Sequence, residues 1–252
     1  MKKIFIHIGN FKTGSTSLQN FIFLNQDLFK KNNIQVLIEK IQKITTNNIS
    51  LFQYISKKNN LKIIKYFTKV IKNKDLLITS EYFSLLSYDL GKLKFLKQTM
   101  RKLNYEPIII FFYRDDESYL YSFYSELLKH RKITKVDSVF QFIKKIRNDG
   151  YYSITDNKKI YSFNQRYYFD NVQIINNWKK IFGKNFYYIK FCKDQKKKIF
   201  NDFLNVLDLE KKVKFKMPIQ FNKTRRLKFW NLKRIFYFIY LKFAQKRLFK
   251  KV

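Results

Sequence analysis

The sequence is poor in the residues that carry disulfide and metal chemistry. Its one cysteine, Cys192, allows no disulfide within the chain and no thiolate cluster. Two histidines, His7 and His130, are too few for a zinc site of the usual ligand types. Long apolar runs are missing as well. No window approaches the ~18 apolar residues that a membrane-spanning helix needs. The stretch Ile4-Phe5-Ile6-His7-Ile8 is too short for a signal-peptide core and is broken by His7. These absences predict a cytosolic protein. Acidic residues are scarce too, with 18 Asp and Glu against 53 Lys and Arg, which leaves a net charge of +35.

Such a charge has two readings. One is a field that draws polyanions: nucleotides, nucleic acid, anionic glycans or an acidic membrane surface. The other is codon bias, because Lys, Asn, Ile, Phe and Tyr dominate while Gly and Pro are few. Under either reading an anionic ligand is favoured. Hydrophobic residues make up 46% of the chain and aromatics 19%, enough for a large core and too much for general disorder. The length of 252 residues fits one large α/β domain with or without a small appendage.

Apolar patterning divides the chain into alternating elements. Residues 3–8 read as a buried strand ending at Gly9, followed by a helix from about Thr16 with Leu18, Phe21 and Ile22 on one face. Ile34–Ile38 is a short candidate strand. Residues 41–73 are rich in Lys and Asn, with helical spacing of Leu61, Ile64, Phe67 and Ile71. Leu76–Thr79 reads as a strand closing on Ser80-Glu81. A helix over 91–103 precedes Pro107, and Ile108–Tyr113 is the continuous apolar run of a strand buried on both faces. Arg114-Asp115-Asp116 then starts a helix running to Leu128. Residues 130–170 read as polar and irregular, with a turn at Asp149-Gly150. A helix over Asn171–Phe182 stops at Gly183, a last strand covers Phe186–Phe191, and a helix covers about 195–207. Alternating strands and helices imply a parallel sheet with its ligands beyond the carboxyl ends of the strands. That arrangement gathers Gly9–Thr16, Ser80-Glu81 and Arg114-Asp115 around one crevice.

The first strand opens into Gly9-Asn10-Phe11-Lys12-Thr13-Gly14-Ser15-Thr16-Ser17. A strand, a loop of small residues and a helix start make an anion site from converging backbone N–H groups and the helix dipole. Lys12 adds a mobile charge, and Ser15 and Thr16 add hydroxyls. The spacing of Gly9 and Gly14 matches the Walker A pattern, but Ser15 stands where that pattern has lysine, and the lysine has moved to position 12. Such a loop holds phosphate without needing a metal. The string from His7 to Gln19 resembles the 5′-phosphosulfate-binding loop of bacterial PAPS-dependent sulfotransferases. The resemblance implies that Gly9, Lys12, Thr13, Gly14, Ser15, Thr16 and Ser17 cradle the 5′-phosphate of PAPS, with Lys12 at the oxygen bridging phosphate and sulfate.

After the strand that ends at Tyr113, Arg114 is followed by Ser122 eight residues on. Arginine suits bidentate phosphate contacts, and the pair resembles the family's 3′-phosphate motif; a surface ion pair of Arg114 with Asp115 or Glu117 is the plainer alternative. Trp178 with Phe182-Gly183, and Phe203-Leu204 with Leu207, extend the resemblance over about residues 4–210. Asn222-Lys223-Thr224 stands where relatives carry a late basic segment near the donor. In-line sulfuryl transfer needs a base for the acceptor proton and a cation for the leaving oxygen. Lys12 suits the second role. Glu81 is the first choice for the base, with capping of the following helix as its alternative. His7 is the second choice, with a strand histidine bonded to its neighbours as the alternative. His130 reads as a solvated helix-end residue.

Arg225–Val252 carries ten Lys and Arg and no Asp or Glu, interleaved with Phe229, Trp230, Phe236 and Phe243. This basic aromatic helix either packs on the domain, docks on an anionic membrane surface, or binds nucleic acid by charge and stacking; no nucleic-acid-binding motif accompanies it. The expectation is therefore a three-layer α/β, P-loop-like fold over residues 1–222, with a central parallel sheet, and a basic helical tail over 223–252. The expected activity is sulfuryl transfer from PAPS, leaving PAP, to a hydroxyl or amine on a glycan or glycolipid acceptor. The rivals are a P-loop kinase or NTPase, in which Asp115 and Asp116 would hold magnesium, and a non-catalytic polyanion- or membrane-binding module.

Overall fold

β1 (Lys2–Gly9) is buried on both sides, and that burial organises the domain. Ile4, Ile6 and Ile8 face one apolar cluster and Phe5 the other, with His7 on the side of Phe5. The computed structural model describes residues 1–10, 13–37, 39, 48–68, 73–115, 119–120, 122–124, 142–144, 146, 148, 151–155, 164–168, 170–192, 195–209 and 214–218. Met1–Met217 form one compact unit. The basic tail, Asn222-Lys223-Thr224, Glu117, His130 and the Asp149-Gly150 turn lie outside the described residues.

β1 pairs in parallel with β3 (Asp75–Thr79), Ile6 opposite Ile78, and with β4 (Tyr105–Tyr113), Ile6 opposite Ile109. β2 (Ile34–Val36) extends the sheet beyond β3, and β7 (Phe186–Lys190) extends it beyond β4, both in parallel. The order is β2-β3-β1-β4-β7. On one face lie α3 (Ile49–Ser56), α4 (Asn60–Phe67), α5 (Leu90–Lys102) and α6 (Asn171–Phe182), which cover Ile4, Ile6, Ile8, Ile78 and Phe111. On the other, α1 (Ser15–Leu24) and α7 (Lys196–Val206) cover Phe5, Leu77, Ile110 and Phe112. A short α2 (Gln26–Lys31) follows α1. Helices on both faces of a parallel sheet make the three-layer α/β architecture that the alternating pattern predicts.

The helix ends follow from local chemistry. Asp89 caps α5 by accepting from the Lys92 N–H at 2.9 Å, and Asp170 caps α6 from Gln173 at 2.9 Å. Gly183 ends α6 at φ 59°, as its sequence position predicts. Asn25, at the end of α1, binds both the N–H and the carbonyl of Lys216, which ties the 214–218 segment to this face.

Two expectations need correction. Residues 130–170 are not all irregular: β5 (Tyr151–Thr155) and β6 (Asn164–Tyr168) pair antiparallel in a separate two-stranded sheet. The 41–73 region has a different buried face. Its helices break at Lys57–Asn59, so α4 turns Ile63 and Phe67 inward and leaves Leu61 81% and Ile64 53% exposed. The segment after Arg114 shows helix at 119–120 and 122–124, with the Tyr119 N–H on the Asp115 carbonyl at 2.9 Å. No helix among the described residues is long and apolar enough to cross a membrane.

Candidate active site

The sheet brings three chain segments to one edge. β1 ends at Gly9, β3 at Thr79 and β4 at Tyr113. From β1 the chain continues toward β2 on one side of the sheet, and from β4 toward β7 on the other. Neighbouring strands that lead away in opposite directions leave a crevice at their carboxyl ends, the usual ligand position in such sheets.

The loop between β1 and α1 folds back over its first glycine. The Thr13 hydroxyl donates to the Asn10 carbonyl at 2.6 Å. Thr13 and Ser15 are buried, and a Cβ on Gly9 would lie 2.9 Å from Thr13 Oγ1 and 3.0 Å from Ser15 Oγ. A side chain at Gly9 would have to push these two hydroxyls aside. Gly14, at φ 85°, turns the chain into α1, and no side chain among the described residues caps the helix. The amides of its first turn therefore point to whatever occupies the loop. Ser15 Oγ has no hydrogen-bond partner among the described residues. A buried hydroxyl without a partner calls for an explanation, and an anion oxygen at the helix start supplies one. Thr16 and Ser17 are half-buried in the same turn, and Lys12 lies outside the described residues.

His7, two residues before Gly9 in β1, has 0% exposure. Its Nδ1 is 2.8 Å from Thr79 Oγ1, its ring meets Phe112 edge-on at 4.8 Å, and its Nε2 has no partner among the described residues. Burial pushes its pKa down to about 3, so the ring is neutral. Glu81 opens the 3-10 turn Glu81–Leu86 directly after β3. Ser80 caps that turn, its Oγ accepting from the Tyr82 N–H at 3.3 Å, and Glu81 is the acidic residue of the first turn, as the helix-start alternative expects. The Ser80 N–H donates to the His7 carbonyl at 3.1 Å, fastening the ends of β3 and β1. Burial and then the Glu81 charge raise the pKa of Tyr82.

Arg114 follows β4 and is half-buried. Burial lowers its pKa, and the Asp115 carboxylate opposes that shift. A partly desolvated guanidinium keeps its charge and gains from an anion that replaces lost water. Asp115 pairs with Lys190 of β7 at 2.8 Å, both ends exposed. Ser122 is half-buried in the helical segment beyond, while Asp116, Ser118 and Ser125 lie outside the described residues.

The element that joins these parts is α6. Asn171, its first residue, accepts from Asn10 Nδ2 at 2.8 Å and donates from Nδ2 to the Arg114 carbonyl at 3.0 Å. Further along, Trp178 Nε1 donates to Ser87 Oγ at 2.8 Å and Asn177 to the Ser87 carbonyl at 2.9 Å. Ser87 Oγ donates to the Ser84 carbonyl, and Ser84 Oγ to the Glu81 carbonyl at 2.7 Å. One helix thus fastens the loop, the Arg114 corner and the Glu81 turn. The sequence marks Asn171 only as part of an amphipathic helix, and Trp178 only through the resemblance it carries with Phe182-Gly183. Asn10 and Asn171 are 161 positions apart, and no local pattern reports such a pair.

No family model matches the chain, and no curated protein matches its sequence. A solved structure does. The crystal structure of a sulfotransferase from Alicyclobacillus acidocaldarius superposes with a TM-score of 0.53 over 88% of this chain and 87% of that one, at 13% identity. The fold is sulfotransferase-like. At that identity the likeness concerns the path of the backbone and not the chemistry of individual side chains. Within a sulfotransferase-like fold, the cradle over Gly9 and the Arg114 corner occupy the carboxyl edge of the parallel sheet. Among the described residues no three His, Cys, Asp or Glu side chains gather into a metal-binding group.

Proposed function

We propose that the chain is a sulfotransferase that uses PAPS as donor. The observation that carries the reading is the cradle over Gly9, where Thr13 Oγ1 and Ser15 Oγ, the latter without a partner among the described residues, converge beside the start of α1. That geometry accepts a phosphate by the amides of the helix start and the Ser15 hydroxyl, while the Thr13 hydroxyl, committed to the Asn10 carbonyl, shapes the loop, and Arg114 supplies a second anion partner. A nucleotide with phosphates at both ends of its ribose would use both. Lys12 and Ser122 join these two sites on the strength of the sequence resemblance.

The chemistry assigned here is in-line displacement. The acceptor oxygen forms a new bond to sulfur while the bond from sulfur to the 5′-phosphate oxygen breaks. PAP leaves with that electron pair, steadied by the Lys12 ammonium. The acceptor proton passes to the Glu81 carboxylate. His7, neutral and walled in by Phe112, supports the loop in this account and is set aside as the base. The acceptor class we favour is a carbohydrate hydroxyl of a glycan or glycolipid, because a chain of net charge +35 tolerates anionic acceptors.

The test is transfer of labelled sulfate from PAPS to a panel of glycan and glycolipid acceptors, with EDTA present throughout. Metal-independent labelling that is lost in Lys12→Ala and greatly reduced in Glu81→Gln supports the reading. Phosphate transfer from Mg-ATP to the same panel in a parallel assay without EDTA, with no sulfate transfer, would replace it with a kinase.

A further inference from the structure

We infer that Asn171 is a positioning residue that couples the two anion sites, so that a nucleotide with two phosphates is bound better than the separate sites allow. The inference rests on the donor reading above and adds a residue to it.

The Arg114 carbonyl can only accept, so Asn171 must present its amide nitrogen there, with 3.0 Å between the atoms. Its oxygen then faces Asn10, which must present its own nitrogen, at 2.8 Å. One backbone carbonyl thereby fixes the orientation of both amides. Asn10 and Asn171 are buried at 3% and 7% exposure, so water competes poorly for these bonds. At the Asn10 end, the backbone carbonyl receives the Thr13 hydroxyl, and the backbone N–H reaches the Phe112 carbonyl at 3.4 Å. The chain Thr13–Asn10–Asn171–Arg114 is therefore a continuous strap from the first anion site to the second.

The strap matters because of the ligand's geometry. The ribose holds two phosphates at a nearly constant separation. Two sites reward such a ligand only if their own separation is held before binding. β-sheet pairing fixes Gly9 against Phe112. Beyond Gly9, Asn10 keeps one long backbone bond to the Phe112 carbonyl, at 3.4 Å, and Arg114 has left β4. Asn171 fixes both. Its removal should leave each half-site able to hold a single phosphate while the advantage of carrying both falls.

Asn171 is also a clean position to change. The cap of α6 is Asp170, whose side chain accepts from Gln173, so the helix start survives substitution. Asn171→Ala removes both bonds. Asn171→Asp keeps an acceptor for Asn10 and loses the donor to Arg114. Val172→Ala, at a 68% exposed neighbour, serves as the control.

The experiment titrates PAP, 5′-AMP and 3′-AMP into the full chain and these variants by calorimetry, with thermal melts to verify folding. The expected result is a preference for PAP over 5′-AMP that falls at least about fivefold in Asn171→Ala, the low end of typical coupling between sites. Binding of each monophosphate should change little, and Asn171→Asp should lose preference as well. A folded Asn171→Ala that keeps the full preference overturns the inference and leaves the donor reading standing. Equal loss for all three nucleotides overturns it too, because that pattern means a general structural role. A wild-type chain with no preference for PAP removes the donor reading, and the inference with it.

Discussion

The ring of Phe191 occupies the space that a side chain on Gly14 would need: a Cβ built there falls 2.1 Å from Phe191 Cε2. Phe191 is held by its own N–H, which donates to the Tyr113 carbonyl at 2.7 Å beyond the end of β7. Gly14 is thus required twice, for its φ of 85° and for the ring above it. Gly14→Ala should destabilise the fold by roughly 1–3 kcal/mol, the range for strained backbone positions. Adding Phe191→Ala should recover the collision but not the backbone strain, so the double variant should be more stable than Gly14→Ala alone. Urea midpoints check the order; a Gly14→Ala protein as stable as wild type would mean that the loop turns elsewhere.

His7 gives a pH signature. Burial lowers its folded pKa from 6.5 to about 3. Above 6.5 both folded and unfolded chains carry neutral His7, and its stabilising effect is fully present. As pH falls below 6.5 the unfolded chain gains a proton that the folded chain takes up only near pH 3. Stability should therefore fall through that window by up to about 1.4 kcal/mol per pH unit from this group. His7→Gln should show a shallower decline between pH 6.5 and 4 in urea melts. Parallel declines would place the His7 ring in contact with solvent.

Much of this fold is legible in the sequence. Ile108–Tyr113 reads as a strand because neither face meets water, and the sheet buries it between β1 and β7. Gly9 and Gly14 stand out because a side chain at Gly9 would crowd the loop hydroxyls and one at Gly14 would meet both a positive φ and the Phe191 ring. Other features escape for physical reasons. The hairpin of β5 and β6 joins strands across residues 156–163 rather than a two-residue turn, so the usual hairpin signal is absent. Its Tyr151-Tyr152-Ser153-Ile154-Thr155 composition is the signal that was there to find. Leu61 and Ile64 share the helical spacing of a buried stripe, and only the packing of α4 shows that Ile63 takes their place. The contacts of Asn171 and Trp178 come from tertiary pairing.

The bond from Trp178 to Ser87 should be measurable as a coupling. Trp178→Phe keeps most of the packing and removes the indole donor, and Ser87→Ala removes the acceptor. Each should cost about 1–2 kcal/mol, and the double variant should cost less than the sum by roughly 1 kcal/mol. If the Glu81 turn depends on this link, turnover should fall more than donor binding. Additive stability losses would separate Trp178 from the Glu81 turn.

Asn48 is the buried stitch of the β3 side. It is 0% exposed, its Oδ1 accepts from the Thr79 N–H at 2.8 Å, and its Nδ2 donates to the Leu37 carbonyl at 2.9 Å. Its own N–H donates to the Thr79 carbonyl at 2.9 Å. Asn48→Ala strands the Thr79 N–H and the Leu37 carbonyl, and should cost about 2–4 kcal/mol. Denaturant unfolding tests this; a loss below about 0.5 kcal/mol, the ordinary range for surface changes, would show the stitch to be dispensable.

The most direct test of the central claim is calorimetric titration of the full chain with PAP, in EDTA, beside 5′-AMP and ATP at two salt concentrations. The account predicts that PAP binds far more tightly than 5′-AMP, that the preference persists at the higher salt, and that Lys12→Ala and Arg114→Ala each weaken it. Equal binding of all three nucleotides, falling together as salt rises, would contradict the account and leave the net charge of +35 as the whole explanation.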